Sequence, residues 1–410
     1  MTMTAITHAR VFDGERVRDE TTVLLDGPTI TAVGGEAPAG AEIVDARGGT
    51  LLPGLFDAHT HTSEQALAFA LRFGVTTELE MQGALTKARR AHIEQNDAVA
   101  DVRSAGFGIT PPGGHPSELF PKGKRPGGDG GPARDDSSDL VMPFATTPEE
   151  AIAFIPKLVE SGSDYIKFMV DDGTVEGHPG LPCLDQATLS AGVAEAHRHG
   201  MLTVAHALTL DATRMAVEAG VDGLVHVFMD RPHTEEIIQL IAGSGMFVVP
   251  CVVLNASMMG ITGEISAGDE RVASRLDDSW LTTLRSSFGH YPQGRLDDVL
   301  ATVKALHDAG VDLLVGSDAS VPVPFLGGVA HGASVHHELR YLVQAGLSPA
   351  DALRAATATP ARRFSLDDRG RIAEGLRADL LLVDGDPTAD IDHTLDIRAV
   401  WRRGTRLAAN

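Results

Sequence analysis

Leu51-Leu52-Pro53-Gly54-Leu55-Phe56-Asp57-Ala58-His59-Thr60-His61 runs from an apolar strand straight into two histidines one residue apart. In an extended strand, residues i and i+2 point to the same side, so His59 and His61 can converge on one ion at the strand's end. A His-x-His pair is weak evidence alone. His197-Arg198-His199 shows why, since that pair falls where a helix ends and both rings are expected in solvent. Position is what separates the two pairs.

Downstream, short apolar runs alternate with amphipathic stretches, the pattern of βα units feeding a parallel sheet. Eight runs read as strands: residues 55–60, 75–79, 101–109, 164–170, 202–207, 223–228, 246–253 and 311–317. Residues 184–199, 210–219 and 296–309 read as helices between them. Such an eightfold alternation closes most naturally as a TIM-like (β/α)8 barrel, an α/β fold whose chemistry collects at the C-terminal strand ends. Polar residues recur at those ends. Lys167 interrupts Tyr165-Ile166-Lys167-Phe168-Met169-Val170, where a buried ammonium is costly without a special partner. His206 ends Thr203-Val204-Ala205-His206, His226 lies in Leu224-Val225-His226-Val227-Phe228, and Asp318 ends Leu313-Leu314-Val315-Gly316-Ser317-Asp318. Strand ends of a barrel form a ring, so these side chains can face one central point. Histidine and carboxylate donors without a cysteine cluster suit a reactive rather than a purely structural metal site.

Near the start, residues 4–11 and 22–33 are β-rich runs punctuated by Asp13-Gly14 and Asp26-Gly27; near the end, 378–383 and 397–401 look similar. Isolated hairpins are marginal in water, so both ends are expected to combine in one small β-sandwich. The expected organisation is half a sandwich at 1–54, a barrel at 55–364 and the other half at 365–410. Two connections are long, 110–147 and 254–294, and such loops often serve as lids or binding loops. In the second, Met258, Met259, Trp280, Phe288 and Tyr291 read as packing residues ahead of an apolar lid. Residues 126–133, Pro-Gly-Gly-Asp-Gly-Gly-Pro-Ala, form a low-complexity patch.

The 410 residues can bury one large core beside a smaller unit, and 43% apolar with 22% charged residues is ordinary for a globular protein. A formal charge of −22 repels phosphate backbones and anionic membranes, so the expected partner is a small-molecule substrate, with no nucleic acid and no membrane. Cys183 and Cys251 are too few for a disulfide framework or a Cys-based zinc site. Residues 1–13 lack a leader-like pattern and no segment has the roughly 20 apolar residues of a membrane span, so a cytoplasmic location is expected.

The run from Pro53 to His61 and Val315-Gly316-Ser317-Asp318 resemble the first- and last-strand motifs of the amidohydrolase superfamily. Gly370-Arg371-Ile372-Ala373-Glu374-Gly375 and Ala378-Asp379-Leu380-Leu381-Leu382-Val383 resemble the sandwich beside many such barrels, so the likeness covers nearly the whole chain. Ile166-Lys167-Phe168-Met169 is similar to the binuclear branch. The resemblance implies a CO2-derived carbamate on Lys167 bridging two divalent cations, Zn2+ foremost, with Mn2+, Co2+ or Ni2+ as alternatives. It places His59, His61 and Asp318 on one cation, and His206 and His226 on the other. Two cations would lower the pKa of a bridging water to give hydroxide at neutral pH, and Asp318 would carry its proton to the leaving nitrogen. Asp57 either orients the ligands from behind or caps a turn.

Ile109-Thr110-Pro111-Pro112-Gly113-Gly114-His115 resembles a Gly-Gly-His loop of imidazolonepropionase-like proteins and Xaa-Pro or Xaa-Arg dipeptidases, implying that His115 contacts substrate. The sequence departs from that pattern at Val225-His226-Val227, where Glu-His-Gly is frequent, and at Val249-Pro250-Cys251, where Pro-Thr is common. These departures leave the substrate open. The expected reaction is hydrolysis of an amide-type C–N bond in a dipeptide, an N-acyl amino acid or an aryl amide or carbamate-like small molecule; lactam, lactone or ester hydrolysis is the alternative. A mononuclear deaminase fits less well, because Lys167 is present and Thr209 stands where deaminases carry a glutamate. A non-catalytic scaffold fits less well because the ligand set is complete. Members of the superfamily often associate, so a homo-oligomer is expected.

Overall fold

A computed structural model describes residues 3–119 and 142–408. The low-complexity patch at 126–133 and the middle of the 110–147 connection, read as a lid or binding loop, lie outside the described residues.

Eight parallel strands form the centre: β1 (Leu55–Thr60), β2 (Val75–Glu80), β3 (Asp101–Ser104), β4 (Ile166–Met169), β5 (Thr203–His206), β6 (Gly223–Val225), β7 (Phe247–Val249) and β8 (Asp312–Leu313). Nearly every residue in them is buried, as parallel strands covered on both faces require. β1, β2 and β3 pair in one sheet, and β4 to β8 pair in order in another. Backbone hydrogen bonds join the two sheets at both seams. The Ile109 amide donates to the Lys167 carbonyl at 2.8 Å, beside β3 and β4. At the other seam the Ala58 amide donates to Val315 at 2.8 Å and the Asp318 amide to His59 at 2.7 Å. The pairings therefore run from β1 round to β8 and return to β1.

Helices alternate with the strands because their ends are chemically finished. Thr147, Asp185, Thr209 and Thr234 each accept a hydrogen bond from the third amide of helices Pro148–Ser161, Gln186–Arg198, Leu210–Ala219 and Glu235–Ser244. Gly162, Gly220 and Gly245 close three of these helices in the left-handed conformation.

Four strands end sooner than the apolar runs suggest; the run at 246–253 is a strand only over Phe247–Val249 and is helical from Val252. β3 stops at Ser104 and Gly106 turns away with φ of 69°, so Ile109 joins the ladder only as an isolated bridge. His226, with φ of 79°, leaves β6 at once. Beyond Leu313 the chain bonds instead to Val248, Ala355 and β1. The connection at 254–294 is not an irregular loop, because helices Val252–Met258, Glu264–Gly268, Glu270–Ala273 and Asp278–Leu284 occupy much of it. Met258 and Trp280 are buried, while Met259, Phe288 and Tyr291 pack half-buried on the core, so these side chains are packing residues.

Strands from the chain ends make two further sheets. One orders Thr29–Val33, Val23–Asp26, Thr4–Thr7 and Glu42–Asp45; the other orders Thr405–Arg406, Ile397–Arg402, Leu380–Val383, Thr50–Pro53 and Arg10–Val11. Ile6, Val23, Leu25, Ile30, Leu51, Leu382 and Trp401 share one apolar core between them. Thr50–Pro53 pairs with Leu380–Val383, and the chain then passes directly into β1. Gly54 makes that passage, running so close to Thr76 that a Cβ would overlap its side chain. Among the described residues, no helix is long and apolar enough to cross a membrane.

Candidate metal centre

β1 carries His59 and, one residue past its end, His61; β4 carries Lys167 and β5 ends on His206. His226 follows β6, Cys251 follows β7, and Asp318 lies beyond β8. Asp318 Oδ1 is 2.8 Å from His61 Nε2 and 3.2 Å from His59 Nε2, and its Oδ2 is 3.8 Å from His226 Nε2. Lys167 Nζ is 3.3 Å from His59 Nε2. The His226 ring centroid lies 4.7 Å from that of His59 and 4.6 Å from that of His206. The six side chains singled out at strand ends thus meet at one place. His59, Lys167, His206 and His226 are buried, whereas His61 and Asp318 keep some exposure, so the cluster opens on their side.

His115 is buried rather than solvated. Its ring stacks on His206 at 4.3 Å, and its Nδ1 lies 2.5 Å from Glu118 Oε1. His197 and His199 stand outside the cluster at the end of helix Gln186–Arg198, partly exposed beside Asp222 and Glu195.

Burial decides the charge states. It is the foremost cause that pushes His59 and His206 well below the usual imidazole range and His226 down to about 3, with neighbouring cationic groups adding to it. Burial also penalises the Lys167 ammonium more than Asp318 and Cys251 sustain it, bringing its pKa to about 8. For Asp318, burial works against ionisation, but His61, His226 and Lys167 outweigh it and hold the carboxyl below its ordinary range. At neutral pH His59, His206 and His226 are therefore neutral imidazoles and Asp318 an ionised carboxylate, the states in which these groups bind metals.

Outer contacts orient the rings. His61 Nδ1 donates to the Gln82 carbonyl at 2.9 Å, which leaves the Nε2 lone pair facing Asp318. His206 Nε2 faces Glu176 at 3.2 Å and Asp171 at 3.3 Å, which leaves Nδ1 as its lone-pair nitrogen. Asp57 accepts from the His59 amide at 3.2 Å, the Ser317 amide at 2.9 Å and the Ser317 hydroxyl at 2.5 Å. It ties β1 to the residue preceding Asp318 and is not a simple turn cap; burial, then the Glu78 charge, push its pKa to about 7. Sequence reasoning passed over Asp171, Glu118 and Glu176. Asp171 carries the same signal as the others, a polar residue directly after an apolar strand, but Glu118 and Glu176 sit in connections without diagnostic spacing.

The residues fit divalent cations. Both ring nitrogens of His226 are buried without a hydrogen-bond partner, and Asp318 Oδ1 makes no directed hydrogen bond although two imidazole nitrogens flank it. Lone pairs facing one another at such distances repel unless a cation or a proton lies between them. His59, His61 and Asp318 bring ligand atoms within 4.8 Å of one another, as do His59, His226 and Cys251. His226, Cys251 and Asp318 also hold left-handed φ values of 79°, 51° and 58°, backbone strain of the kind that collects at functional sites.

The sequence profile of the Amidohydrolase family matches residues 50–407. The chain belongs to the amidohydrolase family. It is therefore an enzyme that hydrolyses carbon–nitrogen bonds, and its family in general uses divalent metal ions. This amidohydrolase is 26% identical to an allantoinase of Solibacter usitatus, over 93% of this chain and 84% of the relative. It is 27% identical to an imidazolonepropionase of Anaeromyxobacter sp. (strain K), over 84% of this chain and 77% of the relative. A solved Xaa-Pro dipeptidase with methionine bound in its active site aligns over 100% of both chains with a TM-score of 0.75 and 22% identity, a likeness of fold.

Proposed function

We propose that this amidohydrolase cleaves an amide-type C–N bond of a small molecule, a dipeptide, an N-acyl amino acid or an aryl amide or carbamate-like compound, at the mouth of a closed (β/α)8 barrel. In this reading His59, His61 and Asp318 would hold one divalent cation, His206 and His226 would hold a second, and Lys167 as a carbamate would serve as a ligand to both. Zn2+ is the first choice, ahead of Mn2+, Co2+ and Ni2+. The observation that carries the proposal is the meeting of three buried, neutral imidazoles, His59, His206 and a His226 whose two ring nitrogens have no hydrogen-bond partner, with an ionised Asp318.

A Lys167 pKa near 8 leaves part of its amine unprotonated at neutral pH. That nitrogen would bond to the carbon of CO2 and release a proton, replacing a cation the interior disfavours with an anion that bound divalent cations would favour. Bound divalent cations supply Lewis acidity, which lowers the pKa of water and polarises the substrate carbonyl. Asp318, open to solvent on one side, takes the proton that the attacking water gives up and returns it to the leaving nitrogen, which an amine leaving group needs. His115, stacked on His206, contacts the substrate beside the cluster. Burial opposes its protonation, but the hydrogen bond to Glu118 and the charges of Glu176 and Glu118 outweigh it and raise its pKa.

Around this site we assign residues 1–54 and 365–410 to a β-sandwich and 55–364 to the barrel, in a cytoplasmic homo-oligomer whose two cysteines are free. The test is a panel of dipeptides, N-acyl amino acids, aryl amides, carbamates, lactams, lactones and esters, assayed with Zn2+ or Mn2+ and again after chelation. Metal-dependent release of an amine from a member of the amide groups is the expected result. Turnover confined to lactones and esters, or unaffected by chelation, would contradict the assignment.

A further inference from the structure

His59 faces two ways. Its Nε2 lies 3.2 Å from Asp318 Oδ1 and 3.3 Å from Lys167 Nζ, while its Nδ1 lies 3.5 Å from Cys251 Sγ. The ring is fully buried, so solvent does not reach Nδ1. A neutral imidazole that binds a cation through Nε2 carries its proton on Nδ1, and a buried N–H needs an acceptor. Among the described residues, Cys251 Sγ is the hydrogen-bond partner of that nitrogen.

The backbone places the sulfur there. Cys251 has a left-handed φ of 51° at the junction of β7 and helix Val252–Met258. The next two amides, of Val252 and Val253, donate to the buried carboxyl of Glu338 at 2.9 and 2.8 Å, pinning the turn from helix Ala333–Ala345. A strained residue held by a buried carboxyl and aimed at a ligand's second nitrogen is more than filler.

We propose that Cys251 is the positioning residue for His59: its sulfur accepts the Nδ1 hydrogen and thereby holds Nε2 toward Asp318 and Lys167. This rests on the metal-centre reading above. The competing role for the sulfur is direct ligation, because Sγ lies within 4.8 Å of ligand atoms of His59 and His226. The contact pattern favours the acceptor role. Cys251 meets His59 on the nitrogen opposite Asp318, so a cation shared by Nε2 and Asp318 lies across the ring from the sulfur.

The experiment compares full-length wild type, Cys251→Ala and Cys251→Ser, each titrated with Zn2+ against a competing chelator and, separately, loaded with Co2+ for absorption spectra. Outer partners of ligating histidines typically contribute about 10–100-fold to metal affinity, so Cys251→Ala should bind Zn2+ weaker by that factor. Cys251→Ser, whose hydroxyl also accepts, should recover most of it. The Co2+ spectrum of the wild type should lack a thiolate-to-metal charge-transfer band. An alanine variant as tight as wild type overturns the proposal, and so does a charge-transfer band that serine abolishes. The wild-type spectrum decides alone if a variant fails to fold. Failure of the wild type to bind either metal would overturn the metal centre itself, a result distinct from the other two.

Discussion

Asp318 is asked to stay ionised while largely buried, and the groups that enforce this are the ones it would serve. His61 at 2.8 Å, with His226 and Lys167, offsets a burial that alone would favour the neutral acid. Replacing it by asparagine keeps the shape and removes the proton acceptor. Asp318→Asn should therefore lower kcat by about 10²–10⁴, the usual contribution of a positioned acid–base group, with an unchanged circular dichroism spectrum. Near-normal turnover would remove Asp318 from proton transfer. The ligand-type residues were legible one by one, because a histidine, a lysine or an aspartate at the end of an apolar run is conspicuous against valines and leucines. His115 was legible as a residue but not in its setting, since stacking on His206 and the contact with Glu118 are tertiary facts that no spacing along the chain encodes.

At the scale of elements, the motif Val315-Gly316-Ser317-Asp318 works because three of its residues are fixed by neighbours. The Val315 carbonyl accepts from Ala58, Ser317 is bound to Asp57, and Asp318 donates its amide to His59. Gly316 is small of necessity, since a Cβ there would press into Val249 Cγ1 and approach the His59 backbone. Overpacking of this kind costs about 1–3 kcal/mol, so Gly316→Ala should lower the thermal midpoint and weaken metal binding through displaced His59. An unchanged midpoint and affinity would show that the strand end is looser than drawn. Strand positions followed from apolar runs, and the helix read at residues 210–219 has those bounds, with Thr209 and Gly220 at its ends. Strand ends did not follow. The turns at Gly106 and His226 override apolar runs that continue past them, and the four helices within 252–284 are short pieces whose periodicity is too brief to register.

Across the whole molecule, Asp101 joins the central strands to the sheet built from the chain ends. It opens β3, is fully buried, and contacts Arg369, Arg377 at 3.0 Å, Arg402 at 3.8 Å and Arg103 at 3.4 Å. Removing one member of a buried charge network leaves uncompensated charge, so Asp101→Asn should destabilise the protein by about 3–5 kcal/mol. Burial works against the Asp101 anion, but Arg369, Arg103, Arg402 and Arg377 outweigh it and lower its pKa. A depressed carboxyl stabilises the fold above its unfolded pKa, about 3.9, and loses that contribution as pH falls below it. The stability gap between wild type and variant should hold from pH 7 to about pH 5 and narrow in stronger acid. A gap independent of pH would place the loss elsewhere. Such a contact was not legible in the sequence, where Asp101 and its partners Arg369 and Arg377 stand almost 270 residues or more apart. The centre on which the function depends is open to a more direct check, the transition metal bound per chain after expression with Zn2+, in wild type and in Lys167→Ala. About two equivalents in the wild type, with loss of the paired loading in the variant, is what a carbamate-bridged pair of cations requires; equal metal content in the two proteins, or none in either, would contradict it.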